Sequence, residues 1–429
     1  MSKDKTLLIW DADNGEKPKH DVSILWRGYK ESVENNEVSI LRLVEDNDKG
    51  LKSQYLSFVY HVGMIKIGSQ RVIDYLEIYP NFSYWWMTLI VEKCNFAKSP
   101  NIDIIIKYMC LKNWIQDNSF LNYNIHLVSS NVELNKALRS FSIESGVNYK
   151  WSKVSQEEAP SLRSVFSKYL PHSIQAIVTL IRQVFINRAL IGAGVDKWKK
   201  TTATITFISY LLHLDRDSVI KYKFKSGYWT DLPKVLKNND IKSNWLHIYT
   251  QSDLFQSRSQ AKSFLNHLNH INKDGQSHVF LESFLSLRNV IATMLNWIQI
   301  SLKYRNTQKV VKQYSRDLWW LIESDFKSSI IGEAAIKNML TYNLFETALK
   351  DLPIQNKGIF LQEYQGWESG FIHIWNSSEH KNEVIGFPHS TVRYWDLRYY
   401  FDSRIVSDEK RLSMPIPDKI AVYSSSIKA

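Results

Sequence analysis

A chain of 429 residues with 44% apolar and 23% charged side chains is too long for one ordinary core and too apolar to be disordered, so two globular domains are expected. Its formal charge of +11 points to anionic partners such as a nucleotide, an anionic glycan or a phospholipid surface. No RNA- or DNA-binding signature accompanies it, and Cys94 and Cys110 have neither CxxC nor Cys/His spacing, which argues against nucleic acid, a disulfide framework and a structural metal.

The chain opens on a strand at 6–10 without the apolar core of a signal peptide, and the turn Asp11-Ala12-Asp13 follows. Two carboxylates at a strand end can hold a metal, but a turn rich in Asp and Asn is the commoner reading. Asp46/Asp48 and Asp215/Asp217 share the spacing and are read as a polar run and a turn, so no metal ligands are assigned. Segments 23–26 and 38–43 read as further strands, and 56–67 as either strand or helix. Ser83 is placed as the N-cap of a helix running through Glu92 and Lys93. In that helix Trp85, Leu89 and Lys93 share one face, while Trp86, Ile90 and Cys94 share the next. Tandem tryptophans beside Tyr84 suit stacking on a sugar or base, although core packing is their commoner use. A helix at 102–116 and the strand–helix–strand unit 124–128, 130–145 and 147–151 complete an α/β domain ending near 153.

Residues 154–200 read as a helical linker. Ile174, Ile177, Val178, Ile181, Val184 and Phe185 make an apolar face at helical spacing, with Arg182, Arg188 and Lys197 nearby. Such a basic amphipathic helix can lie on an anionic membrane; burial between two domains is the preferred expectation. Strands at 203–212, 245–249 and 278–281 then alternate with helices up to 237, at 258–271, 286–304 and 317–349. That alternation predicts a mainly parallel, doubly wound sheet. No GxGxxG, P-loop or GxSxG pattern interrupts it.

The most informative run is 358–402. A strand at 358–362 ends in the polar turn 363–368, and a helix carrying Phe371, Ile374 and Trp375 follows. A second strand at 383–387 ends in Pro388-His389-Ser390-Thr391. Right-handed crossovers put both turns on one sheet edge, where ligands of open α/β sheets sit. Glu363, Gln365, Glu368, His389, Ser390 and Thr391 are therefore expected to converge on one crevice. A carboxylate there can accept from ribose hydroxyls, and a histidine beside two hydroxyls can hold a phosphate and protonate it as it leaves. Taken singly, Glu368 reads as a helix cap and His389 as a turn residue; the grouping is what points to function.

This run resembles the carboxyl-terminal part of bacterial capsule and lipopolysaccharide glycosyltransferases of GT-B architecture that use CMP-activated nonulosonic acids, above all the pseudaminic-acid transferases. Those proteins pair an acidic strand-end motif with a later His-Pro or His-Ser/Thr motif; here Pro388 precedes His389. Segments 207–210 (FISY), 226–229 (SGYW), 244–247 (NWLH) and the Trp-Trp and Glu-Lys pairs within 85–93 are similar to further stretches of that family.

The resemblance implies two Rossmann-like domains facing each other across a cleft, 1–153 on the acceptor side and 201–429 on the donor side. It implies metal-independent transfer, with no cofactor beyond the CMP-sugar substrate, of a nonulosonic acid to a glycan or lipid-linked glycan with retained configuration. Glu363, Gln365, Glu368, Ser390 and Thr391 would then hold CMP, and His389 would stabilise the departing phosphate. Trp85, Trp86 and Lys93 would face the acceptor. Glu92, with Glu77 as second choice, would act on the acceptor hydroxyl or the oxocarbenium ion. A donor domain of that family continues well beyond a residue placed like His389, so the second domain is expected to be cut short. The expected location is the cytoplasm, with peripheral contact at the inner membrane face. A UDP- or GDP-sugar transferase and a non-catalytic scaffold for anionic glycan or membrane are the alternatives.

Overall fold

The computed structural model describes residues 5–12, 15–31, 36–93, 101–154, 170–271, 275–380, 383–389, 392–407 and 412–422. Short β-branched and aliphatic runs form two parallel sheets. The first contains β1 (Thr6–Asp11), β2 (Val22–Leu25), β3 (Glu37–Ser39), β4 (Asn124–Ser129) and β5 (Tyr149–Lys153), in the order β3-β2-β1-β4-β5. The second contains β6 (Ile205–Tyr210), β7 (Ser243–Ile248), β8 (Gln276–Phe280), β9 (Lys357–Gln362), β10 (Val384–Pro388) and β11 (Lys419–Ile420), in the order β8-β7-β6-β9-β10-β11. Each sheet grows outward from its first strand, then returns to that strand's other side. The order reverses between β1 and β4 and between β6 and β9, and these are the switch points of a doubly wound α/β fold.

The second sheet has a buried core on each face, and one face stays open over β9 and β10. Alternate residues serve different cores. Phe207, Trp245, Phe280 and Leu361 pack on one side, and Ile208, Leu246, Val279 and Phe360 on the other.

The helices that matter below are α1 (Asp48–Met64), α2 (Ile102–Asp117), α3 (Val132–Ser145), α4 (His172–Asn187), α5 (Arg258–Ile271), α6 (Leu287–Ser315), α7 (Trp319–Ile331), α8 (Glu333–Lys350) and α9 (Gly366–Ser377). Three of them, α6 to α8, fill the crossover from β8 to β9 at the switch point. α8 is the hub, packed by α4, α6, α7 and α9. α7 also reaches α3 and the short helix Leu89–Glu92 of the first half, so one core runs from Leu7 through Trp85 and Trp319 to Trp375. Two glycines permit close approaches. A Cβ on Gly366 would lie 2.7 Å from the Met87 carbonyl oxygen, and one on Gly194, which has φ +78°, would lie 2.1 Å from that of His278.

Three segments differ from expectation, and one left open between strand and helix is decided. Segment 38–43 holds only the end of β3, because Ser39 accepts from the Arg42 N–H at 3.4 Å and starts the helix Ile40–Asp46. Segment 56–67 lies mostly in α1. The helix expected from Ser83 to Lys93 is broken. Ser83 accepts from the Trp85 N–H at 3.2 Å and caps a single 3-10 turn (Tyr84–Met87), Thr88 is extended, and the helix Leu89–Glu92 ends at Lys93 with φ +57°. The fourth is α4. Its buried residues are Ala176, Leu180 and Asn187, whereas Ile174, Ile177, Val178, Ile181 and Phe185 are 39% to 63% exposed. The expected burial of that apolar face is therefore corrected: α8 takes the side of small and mixed residues.

Candidate functional site

The turn after β9 is built around Glu368. Tyr364 takes a left-handed φ of +54°, which aims three successive backbone N–H groups at one point. Glu363 and Gln365 donate to Glu368 Oε1 at 2.9 and 3.1 Å, and Tyr364 donates to Oε2 at 3.0 Å. Such a nest of donors is an anion cradle, and here the chain's own carboxyl occupies it. Burial pushes the Glu368 carboxyl up to about 8, with the charge of Glu363 adding to the rise and the backbone donors opposing it. Glu368 thus holds the turn and caps α9.

Glu363 points to the other side of the sheet. Pairing of Leu361 with Phe387 and of Gln362 with Pro388 puts Glu363 beside His389, on the face shared by Ile385 and Phe387. His389 Nε2 lies 3.2 Å from Glu363 Oε1, and its side chain is 7% exposed. Nδ1 of His389 is buried and has no partner among the described residues. Burial alone would raise the Glu363 carboxyl; bonds and charge from His389, with Gln365 and Arg398 behind them, bring it below its ordinary value. Gln365 donates to Glu363 and, at 3.2 Å, to the Tyr210 hydroxyl, which also accepts from Trp367 Nε1 at 3.3 Å. Arg398 is held in place by Asp396 through two bonds of 2.8 Å.

Beyond the pair lies an open groove of about 820 Å3 along the sheet face. Phe207, Ile359, Ile385 and Phe387 floor it, Tyr228 and Trp229 wall it, and His389 closes one end. The Tyr228 ring stands edge-on to His389 at 4.6 Å. Trp229 donates to Ser209 Oγ at 2.8 Å and stacks on Phe387 at 5.3 Å. Sequence reasoning noted 226–229 as a stretch of family resemblance and gave Tyr228 and Trp229 no place in the site; the aromatic pair behind Gly227 was the available signal.

The first-half candidates lie elsewhere. Trp85 is 1% exposed, and Trp86 is buried with Nε1 donating to the Leu412 carbonyl at 2.9 Å. Both are core residues, which corrects their expected role as stacking surfaces, because a ring closed in on both faces offers none to a sugar. Lys93 is buried, with Nζ 3.7 Å from the Phe401 ring centroid and 3.1 Å from the Val91 carbonyl. Glu92 does approach the acidic turn. With Gln362, Gln365 and Glu368 it lines a closed cavity of about 10 Å3, the room of one water. So the two halves are packed together at this point, where an open cleft was expected. Glu77 lines neither cavity nor groove; it accepts from the Asn81 N–H at 3.0 Å in a hairpin turn. Ser390, Thr391 and Asp13 lie outside the described residues. Asp11, at the first switch point, accepts from Ser129 Oγ at 2.5 Å and Arg27 Nε at 2.7 Å, while Asp215 caps a short helix through Ser218.

With Nε2 engaged by a carboxylate, Nδ1 is the ring nitrogen left for a ligand. An aromatic groove beside it suits a flat base or a sugar ring. Comparison of the chain with protein-family models, curated proteins and solved structures gives no match.

Proposed function

We propose that the chain is a glycosyltransferase of GT-B architecture whose second half holds a nucleotide-activated sugar at the β9/β10 edge. The observation that carries this reading is the Glu363–His389 pair, whose Nδ1 has no partner among the described residues, at the edge of an aromatic groove. His389 donates to the donor phosphate and stabilises it as it departs. Tyr228 flanks the base, and Trp229 packs against Phe387 in the floor of the groove. The resemblance of 358–402 favours a CMP-activated nonulosonic acid over a UDP- or GDP-sugar, and a surface glycan as acceptor. Glu92 is the first-half carboxylate that shares a small cavity with the acidic turn, and its use in transfer requires the two halves to part from their packed arrangement.

Calorimetry with CMP, UDP and GDP, followed by mass spectrometry of transfer from a panel of CMP-sugars, tests the reading. CMP is expected to bind tightest, and His389→Ala to lose both affinity and transfer. Tighter UDP binding, or unchanged transfer by His389→Ala, overturns it. One observation favours a second reading: the packed contact around Glu92 and the buried tryptophans fit a ligand-binding scaffold without transfer. CMP binding with no turnover on any donor would support that alternative.

A further inference from the structure

Two helices carry apolar stripes into solvent. The stripe of α4 is described above. On α6, Leu287, Ile291, Leu295, Ile298 and Leu302 are 45% to 78% exposed, while Asn289, Thr293, Trp297 and Ile300 turn inward. Steps of three and four residues keep such side chains on one side of a helix. Both helices flank α8. Asn289 of α6 donates to the Asn343 carbonyl at 3.0 Å, and Asn343 donates to Thr293 Oγ1 at 2.9 Å. The exit of α4 and the entry of α6 are joined directly, since the Gly192 N–H donates to the Ser283 carbonyl at 3.0 Å. The two stripes therefore start from one junction, with Phe185 and the 43%-exposed Ile191 on one side and Leu287 on the other.

The charge carried by the two helices themselves has one sign. Neither α4 nor α6 contains an aspartate or a glutamate. Arg182 and Arg288 lie on the helices themselves, and Arg188, just past α4, rests its guanidinium 4.0 Å from the centroid of the exposed Phe185 ring. Exposed apolar rows of this length mark an interaction site, and arginines beside them select an anionic partner.

We propose that the stripes of α4 and α6 together form a peripheral docking surface for an anionic phospholipid bilayer. The residues are aliphatic with a single phenylalanine, unlike the Trp- and Tyr-rich centres of protein interfaces. A two-fold pairing of the same face with a second copy would set Arg182, Arg188 and Arg288 against their own images. No helix among the described residues is long and apolar enough to cross a membrane, so the contact is shallow. The stripes enter the boundary between headgroups and acyl chains, and the arginines reach the lipid phosphates. This proposal does not rest on sugar transfer.

Co-sedimentation of the full chain with phosphatidylcholine vesicles, with and without phosphatidylglycerol, tests it. Binding to the anionic vesicles is expected to be about 10-fold or more stronger than to neutral ones and to weaken as salt rises. The double variants Ile181→Ser with Phe185→Ser and Leu295→Ser with Leu302→Ser change only exposed positions. Each is expected to lower partitioning about 10-fold. The proposal is overturned by absence of vesicle binding at low salt, or by wild-type binding in either double variant. A concentration-dependent dimer that both variants dissociate would overturn it in favour of a second copy of the chain.

Discussion

His389 Nε2 and Glu363 Oε1 meet at 3.2 Å at the ends of two adjacent parallel strands, with all of α9 between them in sequence. The ladder that pairs Leu361 with Phe387 leaves the following residues on the same face, so the contact is a consequence of register. The other ring nitrogen of His389, Nδ1, is buried and carries no partner among the described residues.

Glu363→Gln keeps the shape of the pair and removes its charge. Affinity for CMP, measured by calorimetry, is expected to fall about 10-fold, the scale of one charge-assisted hydrogen bond. Because the Glu363 carboxyl sits below its ordinary value, the pair's stabilisation is present at neutral pH and is lost as pH falls through the carboxylate range. Unchanged affinity in the variant would remove Glu363 from the site.

Glu368→Gln separates holding from charging. The folded carboxyl titrates near 8 against an ordinary 4.5, so between those values the folded chain binds more protons than the unfolded one. Stability is therefore expected to fall as pH rises from 4.5 to 8. Glutamine offers one carbonyl oxygen, which can accept from the Glu363 and Gln365 N–H groups but leaves the Tyr364 N–H facing the amide nitrogen, so the variant is expected to be less stable than wild type near pH 5 by about 1–3 kcal/mol and to lose the fall in stability towards pH 8. Denaturant unfolding at the two pH values reads this directly.

His247 and His278 predict lability to acid. Their rings are parallel within 3°, His247 Nε2 lies 3.0 Å from His278 Nδ1, and neither is exposed. Burial lowers His247 to about 3 and His278 well below 6.5. Between pH 6.5 and 3 the unfolded chain binds more protons, so stability falls as pH drops, by about 1.4 kcal/mol per unit for each histidine at most. His247→Phe is expected to reduce that slope while costing about 1–2 kcal/mol at pH 7, because His278 loses its partner.

Gly366→Ala tests the packing between the halves. The added methyl meets the Met87 carbonyl, which also accepts from Asn338 Nδ2 at 2.5 Å. A loss of about 1–3 kcal/mol is expected from overpacking, measured as a lower denaturant midpoint. A neutral result would mean that the two halves separate at little cost.

Local rules carried much of the fold. Apolar runs bounded by turns marked most of the strands, and the alternation with helices led to two parallel sheets. The same rules set the turns after β9 and β10 on one edge, because a right-handed crossover leaves them no other place. Around 83–93 those rules failed. Spacing suited a helix, but burial of Trp85 and Trp86 against the rest of the core broke the segment into a 3-10 turn and a short helix.

By itself the sequence determined which residues sit at strand ends and which helices are amphipathic, since both depend on periods of a few residues. Only the tertiary structure decided which way the side chains go. Glu368 turns inward to hold the backbone and Glu363 outward to His389, Tyr228 arrives from a distant turn, and the apolar face of α4 stays in solvent. These outcomes depend on what packs against each element, and partners separated by a hundred residues or more leave no mark in local spacing.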